Sequence, residues 1–360
     1  MFDSADGYIE FLKSLSFDFS AFENIRADKK TVVISIGKSA CYMYRSFVGK
    51  FSETAEFPFF AVLPEGSDAA GLNTENVFFS THPHLSEKSF EAGERLINFL
   101  NLHNPENAVV LISGGSSALI EKSKSHEKSV ELNEKLLKSG LPITEINRIR
   151  SENSQIKNGK LAESFAKINW YVFVASDIPF VGGEKFVGSM PFFREDIENT
   201  NLFKCADSDL LHDALLKQLP EKTLSIRHFS GTVDELEGIF LGNMGNDAES
   251  LLVTGEPLLK INSEKTGTGG RMSHFALMML PYIKKGMKLY ALSSDGIDGN
   301  SSFAGAIVEG NCFSAFEKER IEALENYNSA YLLNKLGFML KSGYSGINLN
   351  DFVILLKSEK

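Results

Sequence analysis

The sequence predicts an α/β protein of two domains, and three observations support that prediction. The chain has 360 residues, more than a single domain usually holds. Short runs of β-branched and aromatic residues end in small polar loops that open into amphipathic stretches, an order typical of parallel βα units. This periodicity fades around residues 190–203. We therefore expect one domain over residues 1–200 and another over residues 201–360.

The first domain is predicted to contain at least three βα units. Strands are expected at Val32–Ile36, Ala108–Ile112 and Trp170–Ala175, each followed by serine, glycine or aspartate. Between the first two, Ser86 is placed to cap a helix with an apolar face. Strands separated by helices favour a parallel sheet with helices on both faces.

The second domain is also predicted to be α/β, with a mixed sheet. Helices are expected near 208–219 and 232–241, from the glycine loop at 267–270 to about 283, and as one long segment near 315–336. Strands are expected near 223–229, as a pair around 251–261, at 288–293, and near 338–342 and 352–356.

Charge and cysteine usage exclude several classes of protein. The 37 Lys and Arg residues against 47 Asp and Glu give a net charge of −10, which repels nucleic-acid phosphates. The three cysteines are odd in number and lack metal-ligand spacing, so they support neither a disulfide framework nor a zinc site. No apolar run approaches the ~20 residues that a membrane span requires, and no basic segment resembles a signal peptide. We expect no nucleic-acid or membrane partner and a cytoplasmic protein.

Three strand-to-helix junctions could bind anions. Backbone N–H groups at the start of a helix point outward at the positive end of its dipole. Two of the junctions add a cation, Lys38 or Arg271, as phosphate chemistry requires. The alternative is that these glycines and serines only form tight turns. The junctions are Gly37–Ser39, then Ser113, Gly114, Gly115, Ser116 and Ser117, and finally Gly267, Thr268, Gly269, Gly270 and Arg271.

Neither common nucleotide motif is intact. Gly37-Lys38-Ser39 ends like a P-loop, but Val32 stands where that loop requires glycine. The loop that begins at Gly267 has Met272 in place of the third glycine of a dinucleotide fingerprint. A conventional P-loop is excluded and a conventional NAD site is weakly supported.

Carboxylates that suit Mg²⁺ follow several predicted strands. Asp177, Glu256, Asp295 and Asp298 have these positions, and phosphoryl-transfer sites usually give Mg²⁺ one or two protein carboxylates. Each acid could instead form a turn or a helix cap. His82 and His84 flank Pro83, a spacing that could ligate a metal ion. The sequence favours instead a loop with at most one histidine touching substrate.

Read together, the motifs resemble a known family. SIGKSACYM, THPHLSEKSFEAGERLINFL, LISGGSSALI, ASDIP, GTGGRM, SSDGIDG and GYSGINLNDFVILL occur in the order found in the class II glycerate 2-kinases. The C-terminal half of that family is called the MOFRL domain, and its members were often labelled hydroxypyruvate reductases. The similarity extends from about Val33 to Leu355.

The sequence also departs from the family pattern. A lysine and a histidine expected after Arg150 are replaced, and Glu152 brings a negative charge where relatives carry a cation. We therefore expect weaker use of unmodified D-glycerate. Further departures occur at Glu184, Met190 and Met272.

The resemblance implies a Rossmann-like first domain, a MOFRL-type second domain and a cleft between them. It implies ATP- and Mg²⁺-dependent phosphorylation of D-glycerate to 2-phosphoglycerate, or of a related small hydroxy acid. Lys38 and Arg271 would clamp substrate and phosphate, with Arg271, as a loop residue, adding little to folding. Asp177 and Glu256 would hold metal. Residues 113–117, Gly267, Gly269, Gly270 and Asp295 would bind substrate or phosphate.

Two other functions stay open at this point. One is an oxidoreductase acting on hydroxypyruvate. The other is a diverged homologue that binds a sugar acid without the usual catalysis. The expected partners are a small hydroxy acid and a nucleotide, and a homodimer is left open.

Overall fold

The computed structural model describes residues 2, 4–25, 30–51, 57–69, 72–178, 182–261, 267–310 and 316–357. The chain divides into two compact units. The N-terminal unit is Ser16–Asp207, and the C-terminal unit combines Met1–Leu15 with Ser208–Lys360. The boundary expected at 200/201 falls seven residues before this division, and the first fifteen residues belong to the opposite unit from the one predicted for them.

The N-terminal unit contains one parallel sheet of six strands. The order is β3-β2-β1-β4-β5-β6, with every neighbouring pair parallel. Because the order reverses between β1 and β4, right-handed crossovers place helices on both faces. The strands are β1 (Thr31–Ile36), β2 (Phe59–Pro64), β3 (Val77–Ser80), β4 (Asn107–Ser113), β5 (Asn169–Ala175) and β6 (Thr200–Ala206).

The helices of the N-terminal unit follow from local signals where these are strong. Ser86 caps its helix as predicted, since its hydroxyl accepts a hydrogen bond from the Lys88 N–H at 3.2 Å. After the first helix of the chain, α1 (Ala5–Lys13), this unit contains α2 (Ala40–Phe51), α3 (Glu87–His103), α4 (Ser116–Leu119), α5 (His126–Leu137), α6 (Ile143–Asn153) and α7 (Lys160–Ser164). Short 3₁₀ segments occur at Ser20–Asn24, Thr74–Asn76 and Gly183–Ser189, the last of which is kinked at Val187 and Gly188.

The C-terminal unit contains the predicted mixed sheet, in the order β11-β10-β9-β12-β8-β7. Only β7 and β8 pair in parallel, and the other neighbours are antiparallel. The strands are β7 (Thr223–Phe229), β8 (Ser250–Gly255), β9 (Lys288–Ser293), β10 (Gly305–Glu309), β11 (Met339–Leu340) and β12 (Asp351–Leu356). The helices are α8 (Ser208–Leu216), α9 (Val233–Asn243), α10 (Arg271–Met279), α11 (Glu317–Glu325) and α12 (Ser329–Lys335), with a 3₁₀ turn at Leu280–Tyr282.

Two predicted elements of this unit are wrong. The long helix expected at 315–336 is broken between α11 and α12, where Tyr327 adopts a left-handed φ of 51°. The break lets the Asn328 side chain accept a hydrogen bond from the Thr268 N–H at 2.9 Å. The strand pair expected around 251–261 is the single strand β8, followed by an isolated bridge between Leu258 and Thr232.

Aromatic packing explains why the first residues belong to the C-terminal unit. Phe2 packs edge-on against Tyr290 and Phe352, with ring centroids 5.7 and 6.0 Å away. The buried Tyr8 donates its hydroxyl to the Ser293 carbonyl. These contacts attach α1 to β9 and β12. Within the described ranges, no helix is both long enough and apolar enough to cross a membrane.

Candidate active site

The N-terminal unit brings three predicted loops together at the carboxyl ends of β1, β4 and β5. The Lys38 N–H donates to the Gly114 carbonyl at 2.9 Å, and the Ser39 N–H donates to the Ser113 hydroxyl at 2.9 Å. Asp177 follows β5, whose last residue pairs with Ser113. The sheet order reverses between β1 and β4, the position where doubly wound sheets bind ligands.

Two glycines show how closely the functional side chains approach. A Cβ on Gly114 would overlap the Asp177 carboxylate. Gly115 has a φ of +87°, and a Cβ there would lie 3.0 Å from the His82 ring and 3.2 Å from Lys38 Cγ. The turn Gly114–Gly115 is therefore surrounded by a cation, an imidazole and a carboxylate. The STHPH segment predicts a loop with at most one histidine touching substrate, and the structure places His82 rather than the exposed His84 beside this turn.

The serines around this turn mostly hold the loop itself. Ser113 and Ser116 are fully buried, and the Ser116 hydroxyl donates to the Ser113 carbonyl at 2.9 Å. Ser117 is half-buried and accepts a hydrogen bond from Nη1 of Arg150 at 3.3 Å. The amphipathic helix expected after this loop is wrong, because α4 spans only four residues. So short a helix has little macrodipole, which leaves the turn and its neighbouring side chains to bind an anion.

Glu152 has no part in this cluster. Its side chain is 59% exposed and pairs with Arg148, one helical turn earlier on α6. The charge that the sequence placed near the substrate therefore points to solvent. Glu152 therefore gives no physical reason to expect weaker use of D-glycerate.

The glycine loop of the C-terminal unit differs from its predicted role. The Gly267 N–H donates to the Asn326 carbonyl at 2.9 Å, and the Gly269 N–H to Asn300 Oδ1 at 2.8 Å. The Gly270 N–H donates to Asp298 Oδ2 at 3.1 Å. These three N–H groups already have hydrogen-bond partners within the chain. This corrects the prediction that they are available to bind an anion.

Asp298 caps α10, which was one of the two alternatives for this acid. Its carboxylate accepts hydrogen bonds from the Met272 and Ser273 N–H groups at 2.9 and 2.8 Å. It thus occupies the N-terminal position where an external anion would otherwise bind. Burial raises the pKa of Asp298, and the hydrogen bonds from Ser273 and Met272 oppose that rise.

Arg271 lies between two carboxylates at the start of α10. Its Nη1 donates to Glu256 Oε1 at 2.8 Å, and its Nε donates to Asp351. Burial lowers the pKa of Arg271, but Asp351 and Glu256 outweigh that effect and the net change is a rise. Burial raises the pKa of Asp351 to about 6, against the attraction of Arg271. The sequence predicts separate roles for Arg271 and Glu256, and Asp351 is not among the predicted site residues.

Asp295 is buried within its own turn. Its Oδ1 accepts a hydrogen bond from the Ser293 hydroxyl at 3.1 Å and from the Ile297 N–H at 3.0 Å. The second bond closes an Asx-turn. Its role toward substrate remains a prediction.

The metal prediction can be tested against the donors present. Among the described residues no group of three or more histidine, cysteine or acidic side chains is placed to hold a metal ion. Mg²⁺ accepts fewer protein ligands when substrate phosphates and water complete its shell. Asp177, half-buried beside the Lys38 loop, fits that pattern. Glu256 fits it less well, because Arg271 already binds its carboxylate.

Comparisons with known proteins agree with these motifs. Residues 9–221 match a domain of unknown function, DUF4147, and residues 249–351 match the MOFRL family. The glycerate 2-kinase of Sulfurisphaera tokodaii is 32% identical, over 91% of this chain and 90% of its own. The chain belongs to the glycerate 2-kinase family. The resemblance seen in the loop motifs is confirmed.

Two further relatives extend the comparison. The glycerate 2-kinase of Pyrococcus horikoshii is 26% identical, over 92% of this chain and 88% of its own. A crystal structure of glycerate kinase from Thermotoga maritima superimposes with a TM-score of 0.75 at 20% identity, covering 97% of each chain. That likeness establishes the shared fold. Glycerate 2-kinases are phosphotransferases, so membership in the family indicates the class of reaction to test.

Proposed function

We propose that this protein transfers the γ-phosphoryl group of ATP to the 2-hydroxyl of D-glycerate, or of a closely related small hydroxy acid. With D-glycerate the product is 2-phosphoglycerate. The observation that carries the proposal is the convergence of Lys38, His82 and Asp177 on the Gly114–Gly115 turn, in a chain of the glycerate 2-kinase family. In the reaction an O–P bond forms at the substrate hydroxyl, and the bond between the γ-phosphorus and the bridging oxygen of ADP breaks.

Lys38 supplies the positive charge of the N-terminal unit. Its backbone is fixed by the hydrogen bond to Gly114, so its position relative to the turn is set before substrate binds. Preorganised charge of this kind stabilises the negative oxygens of a transferring phosphoryl group. The accessible turn at Gly115 lets phosphate approach the backbone closely, since glycine carries no side chain there.

Asp177 is the residue that we assign to Mg²⁺. The ion, when bound, neutralises part of the charge on the nucleotide phosphates. A half-buried carboxylate at a strand end next to the turn is suited to hold it. Glu256 is assigned to orienting Arg271 rather than to the metal, because it accepts the hydrogen bond of Nη1.

Arg271 is the candidate cation of the C-terminal unit, and we propose that it binds an anionic group of the substrates. Its contribution comes from the guanidinium, since the neighbouring amides are occupied by Asp298 and Asn300. Two carboxylates fix the orientation of its Nε and Nη1, and the remaining Nη2 can meet an anion.

One experiment distinguishes this function from its alternatives. Purified protein is incubated with ATP, Mg²⁺ and a panel of small hydroxy acids, while ADP and NADH are followed separately. We expect ADP to form only with a hydroxy acid, with phosphorus at O2 by ³¹P NMR. Hydroxypyruvate-dependent NADH oxidation without ADP would instead support a reductase, and neither signal would support a binding protein.

A matched pair of lysine variants completes the design. Lys38→Met should abolish ADP formation, because the cation beside the turn is removed. Lys88→Met is the control, since Lys88 is exposed on α3 and pairs with the exposed Glu65. Equal loss in both variants would contradict the assignment of Lys38.

A further inference from the structure

Arg150 lies on the last turn of α6, and no carboxylate among the residues that the structure describes forms an ion pair with it. Its Nη1 donates to the Ser117 hydroxyl at 3.3 Å and its Nη2 to Asn133 Oδ1 at 3.1 Å. Its Nε is buried and has no hydrogen-bond partner among the residues that the structure describes. Buried donors are nearly always satisfied, so an orphaned guanidinium N–H calls for an explanation.

The neighbouring carboxylate, Glu121, is committed elsewhere. It binds the ammonium of Lys157 and the hydroxyl of Ser154, and it accepts the Lys122 N–H at 2.9 Å. Glu121 and Lys157 are both almost fully buried and neutralise each other. Burial lowers the pKa of Arg150, and Glu121 offsets this only in part. Glu121 therefore does not neutralise the positive charge of Arg150.

Arg150 also lines a small, partly open pocket of the N-terminal unit. Leu85, Leu136 and Asn133 belong to the same lining. The Asn133 side chain donates to the Pro83 carbonyl at 3.4 Å, next to His82. Ser117, which Arg150 contacts, lies two residues beyond Gly115. The side chains of Arg150 and Asn133 thus contact the two segments that carry Gly115 and His82.

We propose that Arg150 binds the carboxylate of the hydroxy-acid substrate. This inference rests on the proposed function and names the group that selects an acid over a neutral polyol. A carboxylate can accept the Nε–H and an adjacent Nη–H as a bidentate pair, which satisfies the orphaned donor and compensates the buried charge. Lys157 does not compete for it, because Glu121 already neutralises that ammonium.

The test compares D-glycerate with its neutral amide, glyceramide, in the full-length protein. We expect Arg150→Gln to raise the KM and the dissociation constant for D-glycerate about 100-fold, the usual effect of removing one partner of a desolvated charge pair. The KM for ATP should not change, and calorimetry should show similar affinity of the variant for acid and amide. Arg150→Lys should recover only part of the loss, because an ammonium cannot form the bidentate pair.

The same helix supplies the control. Arg148→Gln removes an exposed arginine that pairs with Glu145 and Glu152, and it should leave every constant unchanged. Thermal unfolding of all variants separates a folding defect from a binding defect. An Arg150→Gln protein that loses turnover but still prefers the acid over the amide would assign Arg150 to support of Ser117 and overturn the inference.

The outcomes also separate this inference from the function on which it rests. A wild-type protein that phosphorylates D-glycerate, with an unchanged KM in Arg150→Gln, would leave the function standing and overturn the role of Arg150. A wild-type protein that neither binds nor phosphorylates any hydroxy acid would overturn the proposed function, and the carboxylate assignment with it.

Discussion

Arg271 donates from its Nε to the carboxylate of Asp351, an acid that is only 1% exposed. Asp351 begins β12, and the register of the sheet sets it opposite Gly255 on one side and Ser293 on the other. Glu256 follows Gly255 directly and binds the same arginine. One end of the sheet thus gathers a cation and two acids that are far apart in the sequence.

This relationship changes what an Arg271 variant is expected to do. The sequence predicts that Arg271, as a loop residue, has little effect on folding. In the structure its removal leaves the buried carboxylate of Asp351 without its cation. Breaking such a pair costs up to about 3–5 kcal/mol, and protonation of Asp351 limits the cost. We therefore expect Arg271→Ala to lose turnover on the order of 10³-fold and also to lose stability.

Arg271→Lys should be nearly as inactive as Arg271→Ala, because an ammonium cannot reproduce the planar donors that two carboxylates orient. The double variant Arg271→Ala/Asp351→Asn should recover stability in urea unfolding without recovering activity. Recovery of both would show that Arg271 only supports the fold.

Asp177→Asn should weaken binding of the Mg²⁺–nucleotide far more than it weakens folding. An amide keeps the shape of the side chain but loses the charge that a divalent ion requires. Calorimetric titration with Mg–ATP and urea unfolding are the paired measurements. Unchanged affinity in a folded variant would remove Asp177 from the metal site and leave only its contact with the turn.

Gly114→Ala tests the cluster around the Gly114–Gly115 turn by adding a methyl group to the turn itself. The new methyl group would overlap the Asp177 carboxylate, the mobile end of a side chain, so the carboxylate should move while the fold remains. We expect turnover to fall at least about 10-fold, since small displacements of positioned groups are costly, while the melting temperature changes little. Gly49→Ala, in the last turn of α2 with open space around it, is the matched control.

The sequence predicted the sheet of the N-terminal unit best where strands are central. β1, β4 and β5 appear at their predicted positions because buried parallel strands are continuous apolar runs. β2, β3 and β6 were not predicted. β3 and β6 are the edge strands, and several of their positions are partly exposed. β2 is a buried interior strand, so exposure does not explain its omission.

The candidate site was predictable where its residues follow parallel strands, and not where a contact depends on the register of the mixed sheet. Lys38 and Asp177 follow predicted strands, so parallel topology alone brings them together. The partners of Arg271 could not be predicted, because they depend on the register of β12 against β8 and β9. Asp298 carried an N-cap signal in the sequence, but which helix it caps depends on tertiary contact.

His212 leads to a prediction about acid stability. It is fully buried on α8, and its Nδ1 forms a hydrogen bond with Thr254 Oγ1 at 2.8 Å. Its Nε2 is buried with no partner in the part of the chain that the structure describes. Burial, with the nearby charge of Arg227, lowers the pKa of His212 to about 4.

The sign of the effect follows from the two states. In the unfolded chain the histidine has a pKa of about 6.5. Between pH 6.5 and 4 the unfolded chain therefore binds more protons at this residue than the folded chain does. The contribution of His212 to stability is lost as pH falls through that window. On the order of 2 kcal/mol of folding free energy should be lost at pH 4.5 relative to pH 7.

The variant His212→Gln tests this effect. Its side chain cannot be protonated, so its urea-unfolding free energy should fall less on acidification than that of the wild type. Asp351 titrates in part of the same window with the opposite sign, but it does so in both proteins, and the difference between their curves isolates His212. The exposed His84→Gln serves as control and should follow the wild-type curve. Parallel curves for His212→Gln and wild type would mean that the imidazole is charged, or free to become charged, inside the fold.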